Sequence, residues 1–177
     1  MSVKTVRFIA LVTVMAAVTC ALTLIHLYDI PATGGYIHPG DIGANFAALA
    51  FGPWFGALIA GVGMAIADLI LGGVNFAPGT LIVHGLQAIV VGLLSRRTRK
   101  PWRMFLAAVA GSTVVVAGYF AYEVWILGYD ELVAAQEAFP WNVIQGAVGL
   151  VGVPVYLLVV RAYPPLLRWT KKDQTDS

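Results

Sequence analysis

Long apolar runs, broken by short stretches rich in Gly, Pro or charged residues, account for most of this chain. The runs fall at about residues 6–27, 42–52, 54–71, 78–95, 104–127 and 140–162. A helix of about 20 residues rises about 30 Å, which matches the apolar thickness of a bilayer. The pattern predicts an all-α integral membrane protein: a six-transmembrane-helix bundle forming a single membrane-embedded domain over residues 1–177.

The basic residues predict the topology. They form three groups: Lys4 and Arg7; Arg96, Arg97, Arg99, Lys100 and Arg103; and Arg161, Arg168, Lys171 and Lys172. Short segments rich in Lys and Arg stay on the cytoplasmic side of a membrane. We therefore expect both termini to be cytoplasmic, with an even number of crossings between groups. The acidic segment 128–139 is expected to be an outside loop.

The second and third runs decide whether that number is even. Read as one kinked helix, residues 42–71 would leave three crossings before the second basic group. Two helices that turn at Gly52-Pro53 restore an even number, although a run of 11 residues rises only about 16 Å. We expect the second helix to begin part-way into the membrane, with residues 28–41 folded over it as a lid or as a plain connector.

Composition agrees with a membrane protein. Charged residues make up 11% of the chain, against about 25% in soluble domains, and the mean hydropathy is +0.82. Ionisable groups within membrane helices cost roughly 2.5–3.5 kcal/mol each near the centre, so they normally face a cavity or a partner. Asp68, His84 and Glu123 are such groups.

Polar residues of several helices are expected to lie at a similar depth in the outer half of the bundle. His84 and Gln87 share one helix face, as do Tyr119 and Glu123. The pattern predicts a pocket open to the outside. The candidate substrate-binding residues are Asp41, Asn45, His84, Gln87, Tyr119, Glu123, Trp125, Asn142 and Gln145. Several also have a simpler interpretation: Asn142 as a helix cap, Gln87 and Gln145 as interhelical hydrogen bonds, and Trp125 as part of the interfacial aromatic belt.

Motifs of catalysis are absent from the sequence. There is no Walker-type phosphate loop, no HExxH, no GxSxG and no pair of cysteines. The chain is therefore predicted not to be an enzyme, with no catalytic residue, no metal and no cofactor of its own. A metal site from His26, Asp29, His38 and Asp41 is the weaker alternative.

Five segments together carry a family resemblance. They are the Gly-Asp pair at 40–41, FGPWFGALIAGVGMAIADLI, FAPGTLIVHGLQAIVVGLL, YFAYEVW and PWNVIQGAVG. The sequence resembles the substrate-binding S components of energy-coupling-factor (ECF) vitamin importers over nearly the whole chain. His84 is a departure, because similar sequences commonly have a basic residue such as Lys there.

The resemblance implies capture of a small water-soluble vitamin or precursor, with a pyridoxine-like or pyrimidine compound favoured. It implies a multi-pass protein of a bacterial or archaeal cytoplasmic membrane that works with a transmembrane coupling subunit and two ATPases, which use the ATP. The partners are thus the vitamin, these subunits and the lipid bilayer, with no nucleic acid. In the family the first helix meets the coupling subunit, and Thr13, Ala17 and Ala21 match that pattern here.

Other functions stay open at this point. The main alternative is a stand-alone proton-coupled transporter that uses Asp68, His84 and Glu123 as a relay. A membrane enzyme on lipid-like substrates and a purely structural subunit are further alternatives.

Overall fold

The computed structural model describes residues 3–98 and 100–164, with side chains from Thr5 onward. Of the predicted cytoplasmic basic residues, Arg99, Arg168, Lys171, Lys172 and the side chain of Lys4 lie outside these described residues.

The described chain is mostly helical. Its elements are α1 (Val3–Thr23), β1 (Tyr28–Asp29), β2 (Tyr36–Ile37), α2 (Gly40–Leu71), α3 (Ala77–Ser95), α4 (Pro101–Trp125), α5 (Glu131–Gln136), a π-helical segment (Glu137–Asn142), α6 (Val143–Gly149) and α7 (Gly152–Ala162). Five stretches are long and apolar enough to cross a membrane: Thr5–Thr23, Gly40–Leu71, Ala77–Ser95, Pro101–Trp125 and Glu131–Ala162. The prediction of a helical membrane bundle is confirmed at this level.

Helix α2 doubles back on itself at Gly52. That residue has φ +78° and ψ −176° within the helix, and Pro53 follows it. A Cβ added to Gly56 would lie 2.7 Å from the Cα of Ala48, whereas these two residues would be about 12 Å apart along a straight helix. The arms 40–51 and 53–71 therefore pack side by side. The first arm is only about 18 Å long, so it is too short to cross the apolar layer by itself.

Close helix approach builds the core. Alanine is the commonest residue of its buried centre, which includes Ala44, Ala47, Ala48, Ala60, Ala88 and Ala108. A Cβ on Gly63 would come 2.6 Å from the carbonyl oxygen of Ala16, and one on Gly152 would come 2.6 Å from that of Ile42. Small residues allow helix backbones to approach closely. In a lipid bilayer the hydrophobic effect does not hold helices together, so van der Waals contacts between closely packed helices stabilise the bundle.

The two ends of the bundle differ in charge. The ends of α2, the start of α3, the end of α4 and α5 meet at one end, which we call the acidic end. All acidic residues before position 165 belong to elements there: Asp29, Asp41, Asp68, Glu123, Asp130, Glu131 and Glu137. The described basic residues lie at the opposite ends of their helices: Arg7, Arg96, Arg97, Lys100, Arg103 and Arg161.

Two segments differ from the sequence-based expectation. Residues 128–139 are not simply a loop, because Asp130 accepts a hydrogen bond from the backbone N–H of Leu132 at 2.8 Å and so starts α5. Helix α1 ends at Thr23 rather than at residue 27, because the backbone N–H of Leu27 pairs with the carbonyl of Ile37 at 2.9 Å.

Candidate functional site

A cavity of about 190 Å³ lies at the acidic end. Residues 24–39, which we call the covering segment, form one side, and the end of α2 with residues 72–76, α4 and residues 137–145 form the others. The lining residues are His26, Asp29, Gly34, Gly35, Tyr36, His38, Asp68, Leu71, Gly72, Gly73, Phe76, Tyr119, Glu137, Asn142 and Gln145. Aromatic rings, carboxyl groups and amides thus surround one small space.

Three buried polar side chains from α2 and α3 form a chain of hydrogen bonds. The Nε2 of Gln87 donates to Oδ1 of Asp41 at 2.6 Å, and its Oε1 accepts from Nδ1 of His84 at 2.7 Å. The same His84 nitrogen lies 3.5 Å from Oδ1 of Asp41. None of the three lines the cavity. They connect the first arm of α2 to α3, and they leave Nε2 of His84 and Oδ2 of Asp41 without a hydrogen-bond partner.

Two hydroxyl groups fix the aromatic part of the lining. Tyr36 donates to Oδ1 of Asp68 at 2.7 Å, and Tyr119 shares a 2.6 Å hydrogen bond with Thr80. The Tyr119 ring also contacts that of His84, with 5.7 Å between ring centroids. Asp68 keeps its second oxygen unpartnered at the cavity wall.

Two glutamates meet on the other side of the cavity. Glu137 lines the cavity and accepts a hydrogen bond from the Thr33 hydroxyl. Glu123 of α4 is fully buried, and its carboxyl group is hydrogen-bonded to that of Glu137. Two carboxyl groups bond in this way only when a proton lies between them, because two ionised carboxylates repel each other.

Amide side chains complete the wall. The backbone N–H of His38 donates to Oε1 of Gln145 at 3.3 Å, and Asn142 leaves its buried Nδ2 unpartnered. Asn45 lies deeper and donates to the carbonyl of Gly149 at 2.9 Å, so its contact is between helices rather than with the cavity.

The covering segment is held down by several contacts. Its strands pair antiparallel, Tyr28 with Ile37 and Asp29 with Tyr36. The Tyr28 ring stacks on Trp141 with 4.5 Å between centroids, and Tyr129 donates to the carbonyl of Thr33 at 3.3 Å. The arrangement favours a lid over a plain connector. Burial lowers the pKa of His38 to about 4, so this part of the lid is uncharged at neutral pH.

Replacing Tyr28 by alanine should loosen the lid. A stacked aromatic pair contributes about 0.5–1.5 kcal/mol beyond the burial of its surface. Losing it corresponds to a roughly threefold to tenfold rise in the equilibrium constant for opening of the lid. Hydrogen exchange of the Leu27 and Ile30 amides, which close the strand pair, should accelerate by that factor. Tyr163→Ala, at an exposed tyrosine at the other end, is the matched control. Unchanged exchange in Tyr28→Ala would contradict the contact's role.

The predicted residues divide into three groups. Tyr119, Asn142 and Gln145 line the cavity. Asp41, Asn45, His84, Gln87 and Glu123 are buried around it without lining it. Trp125 is 77% exposed on the outside of the bundle, because its position at the end of α4 turns it away from the neighbouring helices. Its predicted stacking on a ligand does not fit this placement.

Several lining residues were not predicted as ligand contacts, among them Tyr36, His38, Asp68 and Glu137. Tyr36 and His38 belong to the covering segment, and Asp68 was named as a buried ionisable group and as part of a proton relay but not among the substrate-binding residues. Glu137 was assigned to a solvent-exposed loop, yet it is 4% exposed. The helical pattern of residues 131–137, with an Asp cap before it, was the signal that could have placed Glu137 on a packed face. The alternative metal site is also absent, because no three metal-ligating side chains are grouped within the described ranges.

A family model matches nearly the whole described chain, and two relatives are more than 30% identical to it. The family model described as "ECF-type riboflavin transporter, S component" matches residues 2–162. A relative described as an uncharacterized protein in the gap 3′ region of Pyrococcus woesei is 35% identical over 152 residues, 85% of this chain and 99% of that protein. The thiamine precursor transporter HmpT of Lactococcus lactis subsp. cremoris (strain MG1363) is 31% identical over 149 residues, 84% of each chain.

A solved structure shows the same fold. The S component for biotin from an ECF-type ABC transporter superposes with a TM-score of 0.71, covering 91% of this chain and 95% of that one. The two sequences are 13% identical, so the likeness concerns the fold and not the ligand.

Proposed function

Because this chain belongs to the family of ECF-type riboflavin transporter S components, we propose that it captures a single-ring vitamin precursor of pyrimidine or pyridoxine-like type. An S component is a substrate-binding, multi-pass membrane subunit of a vitamin transporter, and the family is not an enzyme family. The ligand class and the roles of individual residues are the proposal.

The size of the cavity is the observation that carries this proposal. At about 190 Å³ it is only slightly larger than a cavity of about 150 Å³ that holds one benzene molecule. One six-membered ring with two or three small substituents matches that volume, whereas the three fused rings and sugar-alcohol chain of riboflavin exceed it. The relative named a thiamine precursor transporter supports the same choice, since thiamine contains a pyrimidine ring.

The lining supplies contacts suited to such a ring. Tyr36 and Tyr119 offer faces for stacking, while Asn142 and Gln145 offer amide groups to ring nitrogens and hydroxyls. In this proposal His84, Gln87, Asp41 and Asn45 support the site from behind.

Energy and delivery are proposed to come from partners. Thr13, Ala17 and Ala21 lie on the exposed side of α1, where a transmembrane coupling subunit could pack closely against them. Two ATPase subunits would use the ATP, so the chain itself needs no cofactor. The segregation of basic residues supports a cytoplasmic position for both termini in a bacterial or archaeal inner membrane.

Calorimetric titration of the purified protein in detergent tests the proposal. We expect 4-amino-5-hydroxymethyl-2-methylpyrimidine or pyridoxine to bind with a Kd below about 1 µM, or −8 kcal/mol, and riboflavin to produce no heat. Tight riboflavin binding would overturn the ligand class. Uptake into vesicles by this chain alone, driven by a pH gradient, would instead favour the proton-coupled transporter that uses Asp68, His84 and Glu123.

Asn142→Ala should weaken binding of whichever single-ring probe binds by about tenfold, or ~1.4 kcal/mol, the size of one lost hydrogen bond. Its unpartnered Nδ2 faces the cavity wall. The matched control is Asn75→Ala, because Asn75 is exposed and only its carbonyl makes a described contact, with Tyr122. Equal affinities in both variants would remove Asn142 from the site.

A further inference from the structure

The acidic end lacks compensating basic side chains. Residues 8–95 and 104–160, which contain every lining residue, have no Lys or Arg at all. Three carboxyl groups line the cavity, those of Asp29, Asp68 and Glu137, and Glu123 lies directly behind Glu137. Any ligand therefore meets carboxyl groups with no Lys or Arg side chain among them.

A buried, unpartnered carboxyl oxygen points the same way. Asp68 is 3% exposed and lines the cavity with one oxygen unpartnered. That oxygen is a hydrogen-bond acceptor. Buried carboxylates are stabilised when a donor or a cation approaches them, and a ligand is the group that the cavity leaves room for.

The histidines do not offset this charge. His38 is neutral at physiological pH, since burial lowers its pKa to about 4. His26 lies 3.1 Å from Asp29 at the mouth, and His84 lies 3.5 Å from Asp41 behind the wall. Each of these two is thus matched by its own carboxylate, which leaves Asp68, Glu123 and Glu137 without a basic partner among the described residues.

We infer that the site selects ligands carrying a basic, proton-bearing nitrogen and rejects anions, with Asp68 and the Glu123–Glu137 pair as the charge-selecting groups. This rests on the proposed function, because it concerns the same cavity. The inference excludes carboxylate vitamins and phosphate esters as substrates. It assigns the chain to the uptake of free bases, before any step that adds a phosphate to them.

A charge series on one ring tests the inference. The probes are 2-methyl-4-aminopyrimidines that carry aminomethyl, hydroxymethyl or carboxylate at position 5, titrated into the purified protein at pH 7.5. We expect the aminomethyl cation to bind at least as tightly as the hydroxymethyl compound. The carboxylate should bind at least 100-fold more weakly than the cation, a difference of about 2.7 kcal/mol.

The outcomes separate this inference from the proposed function. A carboxylate probe that binds within threefold of the cation overturns the charge selection and leaves the single-ring ligand class standing. A protein that binds none of these probes, nor pyridoxine, overturns both.

A substitution links the selection to a residue. Asp68→Asn keeps an oxygen for the Tyr36 hydroxyl but removes the charge, so the ratio of carboxylate to cation Kd should fall at least tenfold. Glu131→Gln makes the same charge change at an exposed position that does not line the cavity, and it should keep the wild-type ratio. A ratio unchanged in Asp68→Asn overturns the assignment to Asp68, because a merely structural role would weaken all probes alike.

Discussion

Replacing Gln87 by leucine is expected to lower the free energy of unfolding by about 4 kcal/mol, the sum of roughly 1–3 kcal/mol for each buried group that loses its partner. Gln87 bonds Asp41 at 2.6 Å and His84 at 2.7 Å, and all three side chains are fully buried. Leucine has a similar volume, so the loss comes from the polar groups and not from a cavity. The remaining polar groups of Asp41 and His84 are fully buried, so water does not replace the lost hydrogen bonds.

Thermal unfolding in detergent, followed by circular dichroism, measures the effect. A loss of this size corresponds to a fall in Tm of roughly 8–16 °C for a chain of this length. Gln136→Leu is the matched control, because Gln136 is exposed at the end of α5. If both variants melt within about 2 °C of the wild type, the hydrogen-bond chain does not hold the arm of α2 to α3.

Gly56→Ala is expected to destabilise the helical hairpin by about 3 kcal/mol, the upper part of the usual cost of overpacking. The added Cβ would stand 2.7 Å from the Cα and 3.0 Å from the nitrogen of Ala48. These are backbone atoms, so no side-chain rotation relieves the clash and the two arms of α2 must separate.

Gly85→Ala provides the comparison on a neighbouring helix. A Cβ there meets only the carbonyl oxygen of Ala57, at 3.9 Å, which is ordinary contact. Since alanine favours a helix over glycine by roughly 1 kcal/mol, this variant should melt at or above the wild-type temperature. If the Gly56→Ala protein has the same melting temperature as the Gly85→Ala protein, the arms of α2 are not in close contact.

The sequence predicted correctly those features that depend only on neighbouring residues in the chain. The turn at Gly52-Pro53 was predicted from charge parity, and the backbone does reverse there, because glycine tolerates φ +78°. The buried polar positions on α3 and α4 were found because polar residues in long apolar runs are visible without knowing any contact.

The sequence-based predictions were wrong where the direction of a side chain depends on how helices and loops pack against one another. Trp125 and Glu137 lie near the same end of the bundle. The aromatic ring of Trp125 made it a candidate ligand contact, and the acidic character of segment 128–139 placed Glu137 in a loop. The structure turns Trp125 outward and Glu137 inward. The deciding contacts, such as that of Glu137 with Thr33, join residues more than a hundred positions apart.

By itself the sequence determined that this is a helical membrane protein with basic residues at one end and acidic residues at the other, because hydropathy and charge add up along a chain. Only the tertiary structure decided which polar side chains bond one another, as Asp41, Gln87 and His84 do, and which line the cavity, as Tyr119, Asn142 and Gln145 do. The physical reason is that a helix position specifies depth, whereas the rotation of each helix against its neighbours specifies what a side chain meets.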